Sequence, residues 1–322
     1  MTSVDPSSFG AKTLAVDVCR RYPGSIKDRV ILITGPTVTS IGYGTAEAVA
    51  QLDPKLLILA GRDMTKLEQA RHKLQSKVKD APVKLLKLCL TDSAQIKEAV
   101  EELRSWQTPI DVVINNAAVM DTPYELTPEG HELQFATNYL GPWLFTQSII
   151  PLVLESKGKR VVMVSSVGHH NGDIRWDDPA YTKGYDRKHA YGQGKTADIL
   201  YAKELAKRFR GQGLTAFSLD PGGISTPLQK HWSLEEKQEV GRKYGAFHQD
   251  GTVNHEADVW KTIDQGASTT CRAAFDPDIA SESGSFLVDC QIRNDKRASY
   301  AGDDAAAERL WKWTNELMGE SF

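Results

Sequence analysis

Seven short apolar runs, each four to seven residues and nearly continuous, recur along the chain with longer amphipathic stretches between them. They are RVILIT (29–34), KLLILA (55–60), VKLLKLC (83–89), DVVI (111–114), RVVMVS (160–165), LTAFSL (214–219) and GSFLVD (284–289). Runs of this kind read as strands buried on both faces. The segments between them, about 43–52, 64–79, 93–106, 130–156, 189–210, 261–274 and 303–318, read as helices. Such alternation builds strand–helix–strand units with right-handed crossovers, which makes an α/β, doubly wound parallel sheet of about seven strands with helices on both faces the expected fold. Asp63 and Asp92 stand where helix N-caps are expected. One segment, 222–260, breaks the alternation. It is polar but carries Trp232, Tyr244, Phe247 and Trp260, and its place after the sixth strand is that of a ligand lid. Residues 1–27 form an N-terminal extension and 303–318 a closing C-terminal helix of one domain spanning 1–322.

The charge balance bears on partners. With 39 Lys+Arg against 42 Asp+Glu the net charge is −3, which argues against a nucleic-acid binder. An apolar content of 40% supports a sizeable core and excludes wholesale disorder. No apolar stretch is long enough to span a membrane, and the N-terminus lacks the pattern of a secretory signal. Cys19, Cys89, Cys271 and Cys290 are scattered without metal-ligand spacing, so no metal is expected. Reduced thiols in a cytoplasmic protein are the expectation, with a Cys271–Cys290 bridge left open.

The first strand runs into Thr34-Gly35-Pro36-Thr37-Val38-Thr39-Ser40-Ile41-Gly42 and then a helix. Free N–H groups at a helix start favour anions, and glycine lets the backbone approach a pyrophosphate. Gly35, Thr37, Ser40, Ile41 and Gly42 are therefore candidate dinucleotide contacts. The second strand ends at Arg62, where an arginine accommodates a 2′-phosphate. NADPH/NADP+ is thus expected over NADH, with Asp63 assigned to the helix cap.

Tyr191 and Lys195, at i and i+4, open a long amphipathic helix and share one face. An ammonium beside a phenol lowers the phenol's pKa and makes a general acid–base of it. The fifth strand ends at Ser165-Ser166, where a hydroxyl can hold a substrate oxygen.

These features, in this order, make the chain resemble a short-chain dehydrogenase/reductase, closest to the retinol-dehydrogenase-like and fungal reductase branch. The resemblance spans about 28–290. It rests on the glycine turn, Asn115-Asn116-Ala117-Ala118 after the fourth strand, Asn138 in FATNYLGPWLFT, Ser166 in VMVSSVG, Tyr191 with Lys195, and Pro221-Gly222 through Thr226. It implies a Rossmann-type fold in which Tyr191 protonates a carbonyl oxygen or deprotonates an alcohol. Lys195 would lower the Tyr191 pKa and bind the nicotinamide ribose, Ser166 would hold the substrate oxygen, and Asn138 a relay water. Asn115 and Ala117 would line the adenosine side, with Pro221, Gly222, Ile224 and Thr226 at the nicotinamide. The family also implies a homodimer through helices flanking the active-site segment.

Two departures stand out. The glycine turn is one residue longer than TGxxxGxG, with Ser40 in the middle glycine's place. Cys89, followed by Leu90, replaces the aspartate that contacts adenine. The substrate implied is a hydrophobic ketone, aldehyde or alcohol, such as a secondary metabolite or a retinoid- or steroid-like compound, with His169, His170 and Trp176 at the pocket rim. The alternatives are a non-redox or transient-redox enzyme of the same fold (epimerase, dehydratase or cyclase) and a binding protein with a vestigial site.

Overall fold

A computed structural model describes residues 5–254, 256 and 260–322. Residues 1–4 of the N-terminal extension, and 255 and 257–259 of the expected lid, lie outside the described residues. The strands are β1 (Val30–Thr34), β2 (Leu56–Gly61), β3 (Val83–Lys87), β4 (Val112–Asn115), β5 (Arg160–Val164), β6 (Thr215–Asp220), β7 (Phe286–Val288) and β8 (Gln291–Ile292). The helices are α1 (Ala15–Arg21), α2 (Ile41–Ala50), α3 (Met64–Lys77), α4 (Ser93–Ser105), α5 (Leu133–Phe135), α6 (Gly141–Leu154), α7 (Arg187–Arg208), α8 (Leu234–Tyr244), α9 (Ile263–Phe275), α10 (Ser299–Gly302) and α11 (Asp304–Met318). A π turn, Ala136–Leu140, joins α5 to α6.

The sheet order is β3-β2-β1-β4-β5-β6-β7-β8, parallel throughout except for the final β7/β8 pair. Strand order reverses at β1, which lies between β2 and β4, and the crevice above the C-terminal ends there is the ligand site of such sheets. The continuous apolar runs are explained by two cores. In β1, Val30 and Leu32 enter the core under α4, α6, α7 and α11, whereas Ile31 and Ile33 enter the one under α1, α2, α3 and α9.

The helices follow from spacing and caps. Asp63 Oδ1 accepts from Lys66 N at 3.1 Å and Asp92 Oδ1 from Gln95 N at 3.0 Å, as the sequence leads one to expect. In α4 the buried side chains are Ile96, Ala99, Val100 and Leu103, one stripe at helical spacing. Truncating Leu103 to alanine there would cost about 2–5 kcal/mol.

Three elements depart from the sequence reading. The N-terminal extension contains α1, whose Ala15, Val18 and Cys19 are buried in the second core and whose Ala15 N–H donates to Asp264 Oδ1 at 2.9 Å. An eighth, antiparallel strand follows β7. The segment after β6 contains α8, closed by a reciprocal Ser233–Glu236 capping box and by Gly245 at φ 68°. At the other end, α11 covers α7: Trp311 packs on Tyr201 and Phe209 with Arg208 over its ring. All four cysteines are free, including Cys271 and Cys290. No helix among the described residues is long and apolar enough to cross a membrane.

Candidate active site

A cleft of about 1030 Å³ opens along the C-terminal ends of β1, β2, β4, β5 and β6. At one end is the glycine turn. Gly35 has φ +68°, and a Cβ there would lie 2.9 Å from Ala117 Cα, so both conformation and space call for glycine. Ser40 shows why the middle glycine is dispensable. Its φ of −109° suits any residue, its hydroxyl donates to Gly35 O at 3.1 Å, and it caps α2 by accepting from Tyr43 N. The extra residue is thus absorbed in a capped turn, and the start of α2 still faces the cleft. Asn116 joins the far side, its amide donating to Thr34 O at 2.9 Å, while Thr34 Oγ1 accepts from Asn116 N and Ala117 N at 3.0 Å. The sequence reading passed over Thr34 and Asn116, although Asn116 stands inside the motif it quoted.

Gly35, Thr37, Ser40, Ile41, Arg62, Cys89, Leu90, Ala117, Pro221, Gly222, Ile224 and Thr226 all line this cleft. Gly42 does not; a Cβ there would meet Asn116 Nδ2 at 2.6 Å, so it packs the turn. Asn115 does not either. It is buried, donating to Thr146 Oγ1 at 2.9 Å beside Met163, and the side chain that reaches the cleft is its neighbour's. Arg62 is exposed and has no ion-pair partner among the described residues, since Asp63 pairs with Lys66. Cys89 Sγ lies 3.4 Å from Thr91 Oγ1, and Thr91 also lines the cleft, so a hydroxyl stands close to the position where an aspartate was expected.

Ser166, Tyr191 and Lys195 meet at the centre of the cleft. Ser166 Oγ accepts from Gly168 N at 3.0 Å and is hydrogen-bonded to the Tyr191 phenol. Its neighbour Ser165 is buried and donates to Lys195 O at 2.7 Å, which separates the two serines. Lys195 Nζ donates to Val164 O at 2.7 Å and to Asp198 Oδ2 at 2.9 Å, and lies 6.0 Å from the Tyr191 ring centroid. Burial outweighs any lowering of the Tyr191 pKa. Burial pushes the phenol well above its usual range, and the Asp220, Asp198 and Asp121 carboxylates add to the rise, against the Ser166 hydrogen bond. Asn138 sits in the π turn, a helix irregularity frequent at functional sites. Its Oδ1 accepts from Val119 N at 2.8 Å and its Nδ2 donates to Val119 O at 2.9 Å, so its side chain does not line the cleft.

The pocket rim also differs from expectation. Trp232, Tyr244 and Trp260 line the cleft, and Phe247 supports them from behind at 6.0 Å from Trp232 and 5.4 Å from Trp260. Trp176 does not line it. It meets Trp313 edge to face and lies beneath Arg309, in the packing of α11. His169 is buried, its Nδ1 2.6 Å from Ser166 O and its Nε2 accepting from Ala298 N at 3.1 Å. His170 contacts Lys296 O. Val167, Gly168 and Asn171 are the residues of this stretch that reach the cleft. No cluster of three metal-ligating side chains exists among the described residues.

The sequence model of short chain dehydrogenases matches residues 29–237, more than half of the chain. The chain belongs to the short-chain dehydrogenase/reductase family. Retinol dehydrogenase 12 of Mus musculus is 34% identical over 297 residues, covering 91% of this chain and 87% of that one. A chloroplastic short-chain dehydrogenase of Brassica napus, TIC 32 A, is 28% identical over 97% of this chain and 95% of its own. Among solved structures, an uncharacterised protein from Mycobacterium Paratuberculosis has a TM-score of 0.69 at 25% identity, covering 100% of this chain and 99% of that one. An NADPH-bound carbonyl reductase from chicken fatty liver scores 0.58 at 20% identity over 81% and 96%, a likeness of fold. This short-chain dehydrogenase/reductase is accordingly an oxidoreductase of the alcohol and carbonyl class, in a family that binds nicotinamide cofactors.

Proposed function

We propose that the protein is an NADPH-dependent oxidoreductase that reduces a ketone or aldehyde of a hydrophobic small molecule, or oxidises the corresponding alcohol. The observation that carries this reading is the meeting of Ser166, Tyr191 and Lys195 in one cleft that runs from the glycine turn to the Trp232–Tyr244–Trp260 wall. The fit to a dinucleotide rests on the cradle at Gly35, which a side chain would fill. Arg62 supports the 2′-phosphate and hence NADPH over NADH. The three aromatic side chains support an apolar substrate, such as a secondary metabolite or a retinoid- or steroid-like carbonyl. The four free cysteines support a cytoplasmic setting. With α11 over α7, a homodimer through that face would have to displace Trp311.

Bound nicotinamide supplies or accepts the hydride. Every other task falls to the chain. The Ser166 hydroxyl, its oxygen held by Gly168 N–H, turns its proton from the Tyr191 phenol to the substrate oxygen. Tyr191, protonated at neutral pH because it is buried, gives its proton to that oxygen as the alcohol forms and takes it back in reverse. The inward ammonium of Lys195, with one donor left beyond Val164 O and Asp198, would hold the ribose edge of the cofactor.

The test is a titration with NADPH and NADH followed by nicotinamide fluorescence, then a screen of apolar ketones and aldehydes. NADPH is expected to bind at least tenfold more tightly, and Tyr191→Phe to lower kcat about 10²-fold or more. Binding of neither nucleotide, or near-normal turnover by Tyr191→Phe, overturns the reading.

A further inference from the structure

Asp198 has no part in the mechanism above, yet it touches the catalytic lysine. It follows Tyr191 by seven residues and Lys195 by three, so all three share one face of α7. An ammonium has three donors. Lys195 directs one to Val164 O and one to Asp198 Oδ2, with both side chains sealed from solvent at 3% and 1% exposure. The other Asp198 oxygen, Oδ1, is buried without a hydrogen-bond partner. A buried carboxylate with one oxygen unmatched is costly, which is not what a pair selected for stability alone would show.

We infer that Asp198 is a positioning residue of the active site, whose carboxylate orients the Lys195 ammonium and offsets its charge, so that Tyr191 stays a protonated acid and alcohol oxidation, which needs the phenolate, is moved to higher pH. The inference rests on the reading of Tyr191 as the acid–base. Burial pushes the Asp198 carboxyl up to about 7 against the pull of Lys195, so it is charged over the alkaline range in which a phenol ionises. The surrounding groups reinforce it. Asp220 at the end of β6 and Asp121 after β4 act on Tyr191 in the same sense, and Tyr139 of the π turn, which faces Asp198, is itself a buried neutral phenol. Asp198 Oδ2 lies 2.9 Å from an ammonium that is 6.0 Å from the Tyr191 ring centroid, and across the roughly 9 Å that this allows, at an effective dielectric constant of about 20, the charge amounts to about one pKa unit on Tyr191.

The experiment compares the pH dependence of kcat/KM for alcohol oxidation in the wild type, Asp198→Asn and Asp198→Ala, alongside the phenolate absorbance of each protein minus that of its Tyr191→Phe counterpart. Both substitutions are expected to move the Tyr191 limb down by about one unit, in turnover and in absorbance alike. The alanine variant serves if the asparagine one misfolds. Limbs and absorbance that coincide with the wild type, while Tyr191→Phe is inactive, overturn the role of Asp198 and leave the proposed function standing. A Tyr191→Phe enzyme that still turns over removes the acid–base reading and this inference with it.

Discussion

The indole N–H of Trp232 donates to Asp121 Oδ2 at 2.6 Å, tying the segment after β6 to the loop after β4 where both line the cleft. Asp121 is held for this contact. It is buried, its N–H donates to Gln134 Oε1 at 2.8 Å, and it stands at φ 52°, a left-handed conformation that costs a non-glycine residue free energy. A second tie, Arg187 to Glu236, anchors α8 to the start of α7. Trp232→Phe keeps most of the apolar wall but removes a hydrogen bond to a charged acceptor, worth about 1.5–3 kcal/mol. The substrate KM is expected to rise roughly tenfold, with NADPH affinity unchanged. Steady-state kinetics and a fluorescence titration check this; an unchanged KM would mean that the segment is no lid over the substrate.

Gly168 leaves room for the Tyr191 ring. A Cβ at 168 would lie 2.5 Å from Tyr191 Cε1 and 2.8 Å from Cδ1, and Gly168 N–H also holds Ser166 Oγ. Gly168→Ala must displace the phenol, the serine or both. Displacements near 1 Å at a reacting group cost about 10²-fold in rate. We expect kcat to fall on that scale while NADPH binding stays close to wild type, with about 1–3 kcal/mol of stability lost to the overpacking. A variant of normal kcat would show that the phenol's position is not tightly set.

Most of this architecture was readable because each strand run is short and apolar on both sides, and each helix has its stripe and cap. The elements that escaped lack that signal. No residue of α8 is buried, so no stripe marks it, although Ser233 and Glu236 spell a capping box and Gly245 a stop. β8 has two residues and pairs only through a tight hairpin with β7. At the site, spacing and strand ends marked Gly35, the Ser165-Ser166 pair, Tyr191 and Lys195, and the family resemblance singled out Ser166. The misplaced residues were decided by side-chain direction, which spacing does not carry: Asn115 points into the core and Asn116 into the cleft, and Trp176 turns toward α11. Asp198 could have been found by extending the Tyr191–Lys195 face one more turn.

Arg62 directly follows β2; it is exposed, has no ion-pair partner among the described residues, and lines the cleft together with Lys66. Lys66 is engaged by Asp63 at 3.8 Å, so Arg62 is the freer cation for a 2′-phosphate. Arg62→Asp replaces an attraction by a repulsion and offers a carboxylate to a ribose hydroxyl. The ratio of NADPH to NADH affinity is expected to fall by about 10²-fold, corresponding to about 2.7 kcal/mol. Paired fluorescence titrations read the ratio directly, and a ratio within twofold of wild type would reduce Arg62 to a surface charge.

His169 links the catalytic serine to the C-terminal segment only while it is neutral. Its Nδ1–H donates to Ser166 O, which leaves Nε2 as the acceptor for Ala298 N–H, and a second proton would turn that acceptor into a donor facing a donor. Folding lowers its pKa from 6.5 to about 4, burial being the largest cause. The unfolded chain therefore takes up a proton that the folded chain refuses. The stability contributed by His169 is complete above 6.5 and is lost as pH falls toward about 4, a loss of up to about 3 kcal/mol. Thermal melts of the wild type and His169→Gln between about pH 7 and about pH 4 test this. The glutamine variant is expected to be less stable at the upper end and to lose several degrees less on acidification, because its side chain does not titrate. Parallel declines would place the acid sensitivity elsewhere, among the buried carboxylates.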